Sequence, residues 1–579
     1  MRSRRGELAL GIALLLGAAQ AVAQEVVTPT EWVGDLRDLP GERAWRAGDP
    51  IVEVPRRTLD EGAAPASEAG HEGVDPLLAR QAELGMPAGL DGFGTPVLSL
   101  AGQPFSGSQP PDTIGDVGPA HYLQAVNSTS GARFVVYDKS GAALTAPILF
   151  ETLGSAACAD GRGDPVVVWD PLADRWILLE FTSSTAKTLC VYVSKSADPV
   201  AGGWWAYAFQ ATDYPDYPKL AVWPEAYIVT TNESTPAIYA LERPAMLDGL
   251  AATKLRFSVP KLSAFVFNAL TPADLDGAEP PPEGAPGILV RHRDTEAHGP
   301  AGLPVTDQIE LWELTADFAV PANSVLTGPL ALSITEFSSD LCGLTNFRCV
   351  PQPEPAGFPT VNLDPLREVV MHRLAYRRLP AFEQLVGNFV TDAGDFTDHH
   401  AVRWFELERR DGGSWQVRQE GTYAPDPVHR WMGAIASDKE GNLALGYNVS
   451  RATVGEEVYP GIRYAGRRAE APVGTLPEGE HPGATGLNYS STNRYGDYSA
   501  MSVDPADECT FWFTGEYHPI LASHSWATRI LAFRFDGCDA SLIFRDGFEL
   551  GTTSRWIEVV PPPPPPEGGP ESPSGSPAD

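Results

Sequence analysis

Gly163-Asp164-Pro165-Val166-Val167-Val168-Trp169-Asp170-Pro171 is a short β-branched run that opens on Gly-Asp and stops at an Asp-Pro turn. The same shape returns at Gly496-Asp497-Tyr498-Ser499-Ala500-Met501-Ser502-Val503-Asp504-Pro505 and at Asp216-Tyr217-Pro218-Lys219-Leu220-Ala221-Val222-Trp223-Pro224. It returns again at Phe358-Pro359-Thr360-Val361-Asn362-Leu363-Asp364-Pro365 and Trp431-Met432-Gly433-Ala434-Ile435-Ala436-Ser437-Asp438, with a looser copy from Gly115-Asp116-Val117-Gly118-Pro119. Apolar strands follow: Trp176 to Phe181, Ala226 to Thr231, Glu368 to Leu374, Leu443 to Val449 and Thr510 to Thr514. After the next loop comes another, as at Leu189 to Val193, Ala237 to Leu241, Gln308 to Leu314, Ala401 to Leu407 and Arg529 to Phe535. Strand, tight turn, strand, loop, strand is the order of an antiparallel meander. Repeated every ~45 to 70 residues, it reads as propeller blades. The expected fold is all-β, a six- or seven-bladed β-propeller of four-stranded antiparallel blades over residues 105–538. The unit around Leu289 to Leu314 is placed by spacing. Tandem β-sandwiches are the rival, but unrelated sandwich strands have no reason to share one Asp-Pro turn.

Outside that span the chain changes character. Arg2, Arg4 and Arg5, the apolar run Leu8 to Ala19 and the small residues Ala21-Val22-Ala23 have the order of a secretory signal peptide over residues 1–23. Residues 24–104 mix Pro, Gly, Glu and Arg with weak periodicity; they read as a leader or linker, with a propeptide as the alternative and one short helix between Asp75 and Met86. At the other end, residues 539–560 form a distinct terminal motif. Residues 561–579 begin with the proline run Pro561 to Pro566 and read as a disordered tail.

The formal net charge of −33 sets this chain against nucleic acid and anionic lipid as partners, and no later stretch has the length and apolarity of a membrane span. An even number of cysteines in an exported chain reads as disulfides. Proximity pairs Cys158 with Cys190, Cys342 with Cys349 and Cys509 with Cys538. A zinc site has no support, because no Cys-x-x-Cys pair exists.

The stretch Pro110-Pro111-Asp112-Thr113-Ile114-Gly115-Asp116-Val117-Gly118-Pro119-Ala120-His121-Tyr122 resembles the opening of a mostly uncharacterised family of exported bacterial sialidase-like β-propeller proteins. Arg430-Trp431-Met432-Gly433-Ala434-Ile435-Ala436, Tyr459-Pro460-Gly461-Ile462-Arg463-Tyr464 and Asn493-Arg494-Tyr495-Gly496-Asp497-Tyr498-Ser499-Ala500-Met501 carry the same resemblance. It implies fold and export. Phe544-Arg545-Asp546-Gly547-Phe548-Glu549-Leu550-Gly551 is similar to a carboxy-terminal motif of many secreted bacterial proteins, which implies either surface attachment or a closing strand. Sialidases hold a substrate carboxylate with three Arg and use a Tyr paired with a Glu. Arg291, Arg293, Arg430 and Arg494, with Tyr495, Tyr498 and Glu516, are the residues available for those roles. The Arg-Ile-Pro opening and the Ser-x-Asp-x-Gly-x-Thr-Trp turn of sialidases are absent, with only a distant echo at Ala436 to Asn442.

Four aspartates, Asp116, Asp164, Asp216 and Asp497, recur at or just before first strands, which line the channel of a propeller. Turn capping is the first reading of them, cation binding the second and paired-carboxylate catalysis the third. With Arg430 and Arg494 they form the candidate channel site. Asp274-Leu275-Asp276-Gly277 is a fragment of a calcium-loop pattern, so calcium is the one cofactor with any signal and Asp274 and Asp276 its ligands. His399-His400 reads as a solvent-facing pair whose side chains diverge. Trp204, Trp205, Tyr214 and Tyr217 crowd one region and offer an aromatic contact surface, with packing between blades as the alternative. No nucleophile elbow, His-Glu-x-x-His or phosphate loop occurs. The favoured function is a secreted or cell-surface binding protein for a glycan, a cation or a surface protein. A glycoside hydrolase or lyase using the channel carboxylates and a surface structural component are the alternatives.

Overall fold

The computed structural model describes residues 23–55, 73–83 and 92–538, apart from 155, 263–264, 299–305, 345–346, 355–360, 397 and 520–525. The signal-peptide reading, the terminal motif and the proline tail lie outside these residues. Nearly all regular structure is strand, laid out as sequential antiparallel sheets. The first sheet is Ile114–Val117, His121–Ser128, Gly131–Asp138 and Ile148–Leu149. The second takes Gly161–Asp170, Arg175–Thr182, Thr188–Ser194 and Trp204–Gln210, and the third Lys219–Val222, Ala226–Thr231, Ala237–Glu242 and Ala252–Ser258. Thr271–Asp276, Gly287–Arg293, Gln308–Thr315 and Val325–Ser333 come next, followed by Leu374–Leu379, Phe382–Asp392, His400–Arg409 and Gln416–Tyr423. These two meanders join in parallel, Ala273 opposite Leu374 and Asp276 opposite Arg377. His429–Ser437, Leu443–Arg451, Val458–Arg467 and Glu480–Ala484 form the next sheet, and Ala500–Val503, Phe511–Tyr517 and Ala527–Phe533 begin the last. The leading strands touch in chain order, and Ala500–Val503 returns to Ile114–Val117, so the sheets follow a circle.

The repeated Asp that ends the leading strands is a turn cap. Asp170 Oδ1 accepts Leu172 N at 3.0 Å, Asp504 Oδ1 accepts Ala506 N at 3.0 Å, and Asp438 Oδ1 accepts Glu440 N at 2.9 Å. Between the sheets lie Trp176, Trp204, Trp223, Trp404 and Trp431, all fully buried.

The described parts of residues 24–104 differ from the leader or linker arm expected of them. Ala23–Val27 adds to the outer edge of the third sheet against Ala252–Ser258, and Thr30–Trp32 to the second against Trp204–Gln210. Leu98–Pro104 supplies the fourth strand of the last sheet by pairing with Ala527–Phe533. A helix forms at Leu78–Glu83, and Asp75 just before it accepts from Arg403 at 3.1 Å and Thr422 at 2.8 Å. An outer strand edge offers unpaired N–H and C=O groups, and even a short polar segment can satisfy them.

The fifth repeat also moves. In the described part of the copy at 358–365, residues 361–365, no leading strand forms; Leu363 makes only an isolated bridge to Val350, and the sheet starts at Leu374. That strand is polar and turns at Leu379-Pro380 without the shared Asp-Pro, which hid it. Three disulfides form, Cys158–Cys190, Cys342–Cys349 and Cys509–Cys538, as proximity suggests. Among the described residues no helix is long and apolar enough to cross a membrane.

Candidate functional site

Asp112 and Tyr217, just before their leading strands, and Asp164 and Met432, at irregular positions within theirs, take left-handed backbone, with φ of 46, 50, 48 and 51°. Asp, like Asn, tolerates this better than most side chains with a Cβ because its short polar group bonds locally. The turn brings Asp112, Asp164, Asp216 and Asp497 together, all buried. Asn127 bridges them: its Nδ2 donates to Asp112 Oδ2 at 2.6 Å, and its Oδ1 accepts Asp164 N at 2.8 Å. Asp497 N donates to Asp112 Oδ1 at 2.7 Å. Arg494 reaches Asp497 Oδ2 at 3.1 Å and the Val54 carbonyl at 2.9 Å. Tyr217 OH donates to the Asp497 carbonyl at 3.2 Å, Tyr498 OH to the Pro218 carbonyl at 2.9 Å, and the two rings are 4.9 Å apart. Burial, then the charges of Asp112, Asp216 and Asp497, push the Asp164 carboxyl far above the usual range. Burial also lifts Asp112, against the pull of Arg494. Crowding in low dielectric makes this cluster hold protons.

Asp116 is held elsewhere on the ring. Its carboxylate accepts Val117 N and Trp169 N, each at 2.7 Å, and so staples the first leading strand to the second. Asp274 and Asp276 do not make a calcium loop. They lie on the strand Thr271–Asp276, and Arg373 takes both: Nε to Asp274 Oδ2 at 2.8 Å and Nη2 to Asp276 Oδ1 at 2.7 Å. A guanidinium occupies the side on which a cation would be bound. Sequence reasoning missed this because Arg373 is far along the chain and sits in no motif.

Other candidates also resolve differently. Arg430 is not in the Asp cluster; it is fully buried against Glu480 at 2.9 Å and Asp426 at 2.9 Å. Arg291 and Arg293 share Glu310 at 2.6 and 3.0 Å, so the four arginines do not converge. The aromatic surface is not a surface. Trp204 and Tyr217 are fully buried, Tyr214 packs on Phe181 at 5.1 Å and Trp205 lies beneath Lys195 at 4.0 Å. Strand pairing by Trp204–Gln210 buries Trp204 in the core, while Trp205 and Tyr214 stay partly exposed at its edge. Lys219, which no motif flagged, is fully buried 4.0 Å over the Tyr217 ring, and its Nζ has no hydrogen-bond partner among the described residues. Burial holds its amine well below the usual range.

A cavity of about 430 Å³ is lined by Gln109, Arg348, Val361, Asn362, Ser491, Thr492 and Asn493. The chain runs from Gln109 into Asp112 and from Asn493 into Arg494 and Asp497. Gln352 Nε2 ties two of the lining loops by donating to the Val361 and Ser490 carbonyls at 2.7 and 2.8 Å. A second cavity of about 480 Å³ is lined by Pro351, Phe396, Pro427, His429, Arg451, Ala452 and Thr453. Here the His399-His400 pair diverges as expected but is buried, not solvent-facing. His399 Nδ1 meets Asp395 Oδ1 at 2.5 Å, while His400 Nδ1 meets His429 Nδ1 at 3.1 Å. Burial pulls His429 down to about 3 and pulls His400 down as well, so both rings are neutral.

No known protein family matches the chain, and no curated protein is similar to it. Among solved structures, it is similar to the polysaccharide lyase Uly1, at 10% identity and a TM-score of 0.35 over 74% of this chain and 91% of that one. It is also similar to the WD40 domain of SCAP from fission yeast, at 9% identity and a TM-score of 0.30 over 73% of this chain and 83% of that one. The α-L-arabinanase of Penicillium chrysogenum complexed with arabinobiose gives 10% identity and a TM-score of 0.30 over 66% and 98%. Likeness at this level does not extend to a shared activity.

Proposed function

We propose that this chain is an exported, seven-bladed β-propeller that binds a glycan at one mouth of its ring and acts by binding. The circular order of the leading strands and the strand Leu98–Pro104 that completes the last sheet support the blade reading. The disulfides and the sequence order at the amino end support export. The observation that carries the function is the chemistry of the 430 Å³ mouth cavity. Among the described residues its polar lining is amide, hydroxyl and one guanidinium, with no carboxylate. Those groups suit the many hydroxyls of a sugar, as a few placed polar groups orient a ligand in a pocket. The carboxylates of the Asp cluster are buried and hydrogen-bonded within the protein. A hydrolase or lyase reading rests on one feature, the Asp112 and Asp164 carboxyls facing each other in the buried cluster, where the charge of one disfavours that of the other.

The test is a glycan array with the secreted full-length chain, followed by calorimetry on the best hit. Asn362→Ala with Asn493→Ala should weaken that hit at least about tenfold, the worth of one or two hydrogen bonds. Sugar release that disappears in Asp164→Asn would replace the binding reading with the hydrolase one. No glycan bound, or equal binding by the double variant, would refute binding at this mouth.

A further inference from the structure

The first described strand starts where the small-residue triplet Ala21-Val22-Ala23 ends. Ala23–Val27 pairs antiparallel with Ala252–Ser258, with Ala23 opposite Arg256, Gln24 opposite Leu255 and Val27 opposite Ala252. A cut after Ala23 removes one of these pairs and leaves the four from Gln24 to Val27. The amino end of the shortened chain is then docked on the third sheet. Glu25 fixes it there. Its Oε2 meets Lys254 Nζ at 2.6 Å and accepts Gln210 N at 3.1 Å, so one carboxylate ties this strand to the second and third sheets. Side chains alternate along a strand. Glu25 and Val27 are half-buried, while Gln24 and Val26 are exposed. The carboxamide carbon of a Gln can reach its own backbone nitrogen by closing a pyrrolidone ring, and an exposed side chain has the room to do so.

We propose that removal of residues 1–23 makes Gln24 the first residue of the exported chain, and that Gln24 then cyclises to a pyroglutamyl cap. This rests on the export reading and is independent of what the mouth binds. In the uncut chain the Gln24 nitrogen is an amide and no nucleophile. The cut turns it into a primary α-amine, which loses its proton nearer neutral pH than a lysine does. The unprotonated amine adds to the side-chain carbonyl carbon, Cδ. An N–Cδ bond forms and the Cδ–Nε2 bond breaks. One amine proton passes to Nε2, which leaves as ammonia. No oxidant or co-substrate is consumed. The cap is neutral, so it removes an ammonium from an edge where Lys254 and Arg256 already stand opposite Glu25 and Ala23. It also leaves no free amine for an aminopeptidase. Exposed chain ends are where trimming starts, and here trimming would take Glu25 with its two contacts.

The experiment is mass spectrometry of the amino-terminal peptide from the secreted full-length chain. The expected peptide starts at residue 24 and is lighter by one ammonia than its open form. Pyroglutamyl aminopeptidase should remove that residue and leave Glu25 with a free amine. A synthetic Gln-Glu-Val-Val peptide, carried through the same handling, measures closure during work-up. Gln24→Asn, whose side chain is one carbon too short to close the ring, should keep a free amine and lose Glu25 to an added aminopeptidase that spares the wild type. An open Gln24 amine, a first residue other than 24, or a closed fraction no higher than that of the synthetic peptide overturns the proposal. An open Gln24 on a secreted chain leaves the export reading standing, whereas a chain kept uncut in the cytoplasm overturns both.

Discussion

Replacing Arg373 with Met removes the cation that ties the leading strands together. The guanidinium contacts Asp274 at 2.8 Å, Asp276 at 2.7 and 3.1 Å and the Met501 carbonyl at 3.1 Å. Arg373 is 4% exposed and Asp274 1%, so water screens little of this. Each charge pair about 4 Å apart attracts by about 4 kcal/mol at an effective dielectric of 20, most of it offset by desolvation. Removing one partner leaves the other charges buried without compensation, which costs about 3–5 kcal/mol. That is the loss expected at pH 8. Burial already lifts the Asp274 carboxyl to about 7 despite Arg373, and without the cation it rises further. A carboxyl raised in the folded state is stabilising while protonated and loses that stability as pH rises through its folded value. At pH 5 the variant's Asp274 is therefore uncharged, and its deficit should be smaller than at pH 8 by at least about 1.4 kcal/mol, one proton over one pH unit. Urea unfolding followed by tryptophan fluorescence at both pH values measures this. A deficit below about 1 kcal/mol, or one that does not change with pH, would refute the reasoning.

Glu180 accepts from Ala132 N at 3.0 Å and Tyr192 OH at 3.1 Å, and burial lifts its carboxyl from 4.5 to about 8. Its stabilising proton is lost as pH climbs through that interval, up to about 5 kcal/mol in all. Glu180→Gln keeps both contacts and should flatten the stability curve between pH 5 and 8 by about 1.4 kcal/mol per unit; parallel curves count against this. Deleting the Cys158–Cys190 bridge, which spans 32 residues, should cost about 3.7 kcal/mol, against about 2.4 for Cys342–Cys349, which spans 7; denaturant midpoints of the two Cys→Ala pairs would show the order. A chain starting at residue 105 lacks the strand that covers Ala527–Phe533 and should melt well below one starting at 92, or aggregate through the bared edge. Equal melting temperatures would show that the strand is dispensable.

The sequence by itself determined what depends on neighbours in the chain. The Asp that ends three of the leading strands bonds backbone two residues on, so it recurs with that turn and betrays the repeat. Close cysteines pair because the loops between them are short. Three of the clustered aspartates were legible for the same reason. The fourth, Asp112, is hidden by a copy that begins three residues later, although alignment on the turn Asp puts Asp164, Met432 and Tyr498 each six residues ahead of it and marks that position. Only the tertiary structure decided the rest. Hydrophobic content marks Trp204 and Tyr217 as sticky but not whether water or another sheet meets them, and pairing in the ring buries both. Asp274 and Asp276 look like ligands for a free cation until Arg373, about a hundred positions along the chain, is folded against them. Segments near the amino end find their strand partners across 200 residues and more, where no local propensity reports the pairing. His429 likewise completes the His400 pair from the next leading strand, a contact that exists only once the two sheets stand side by side.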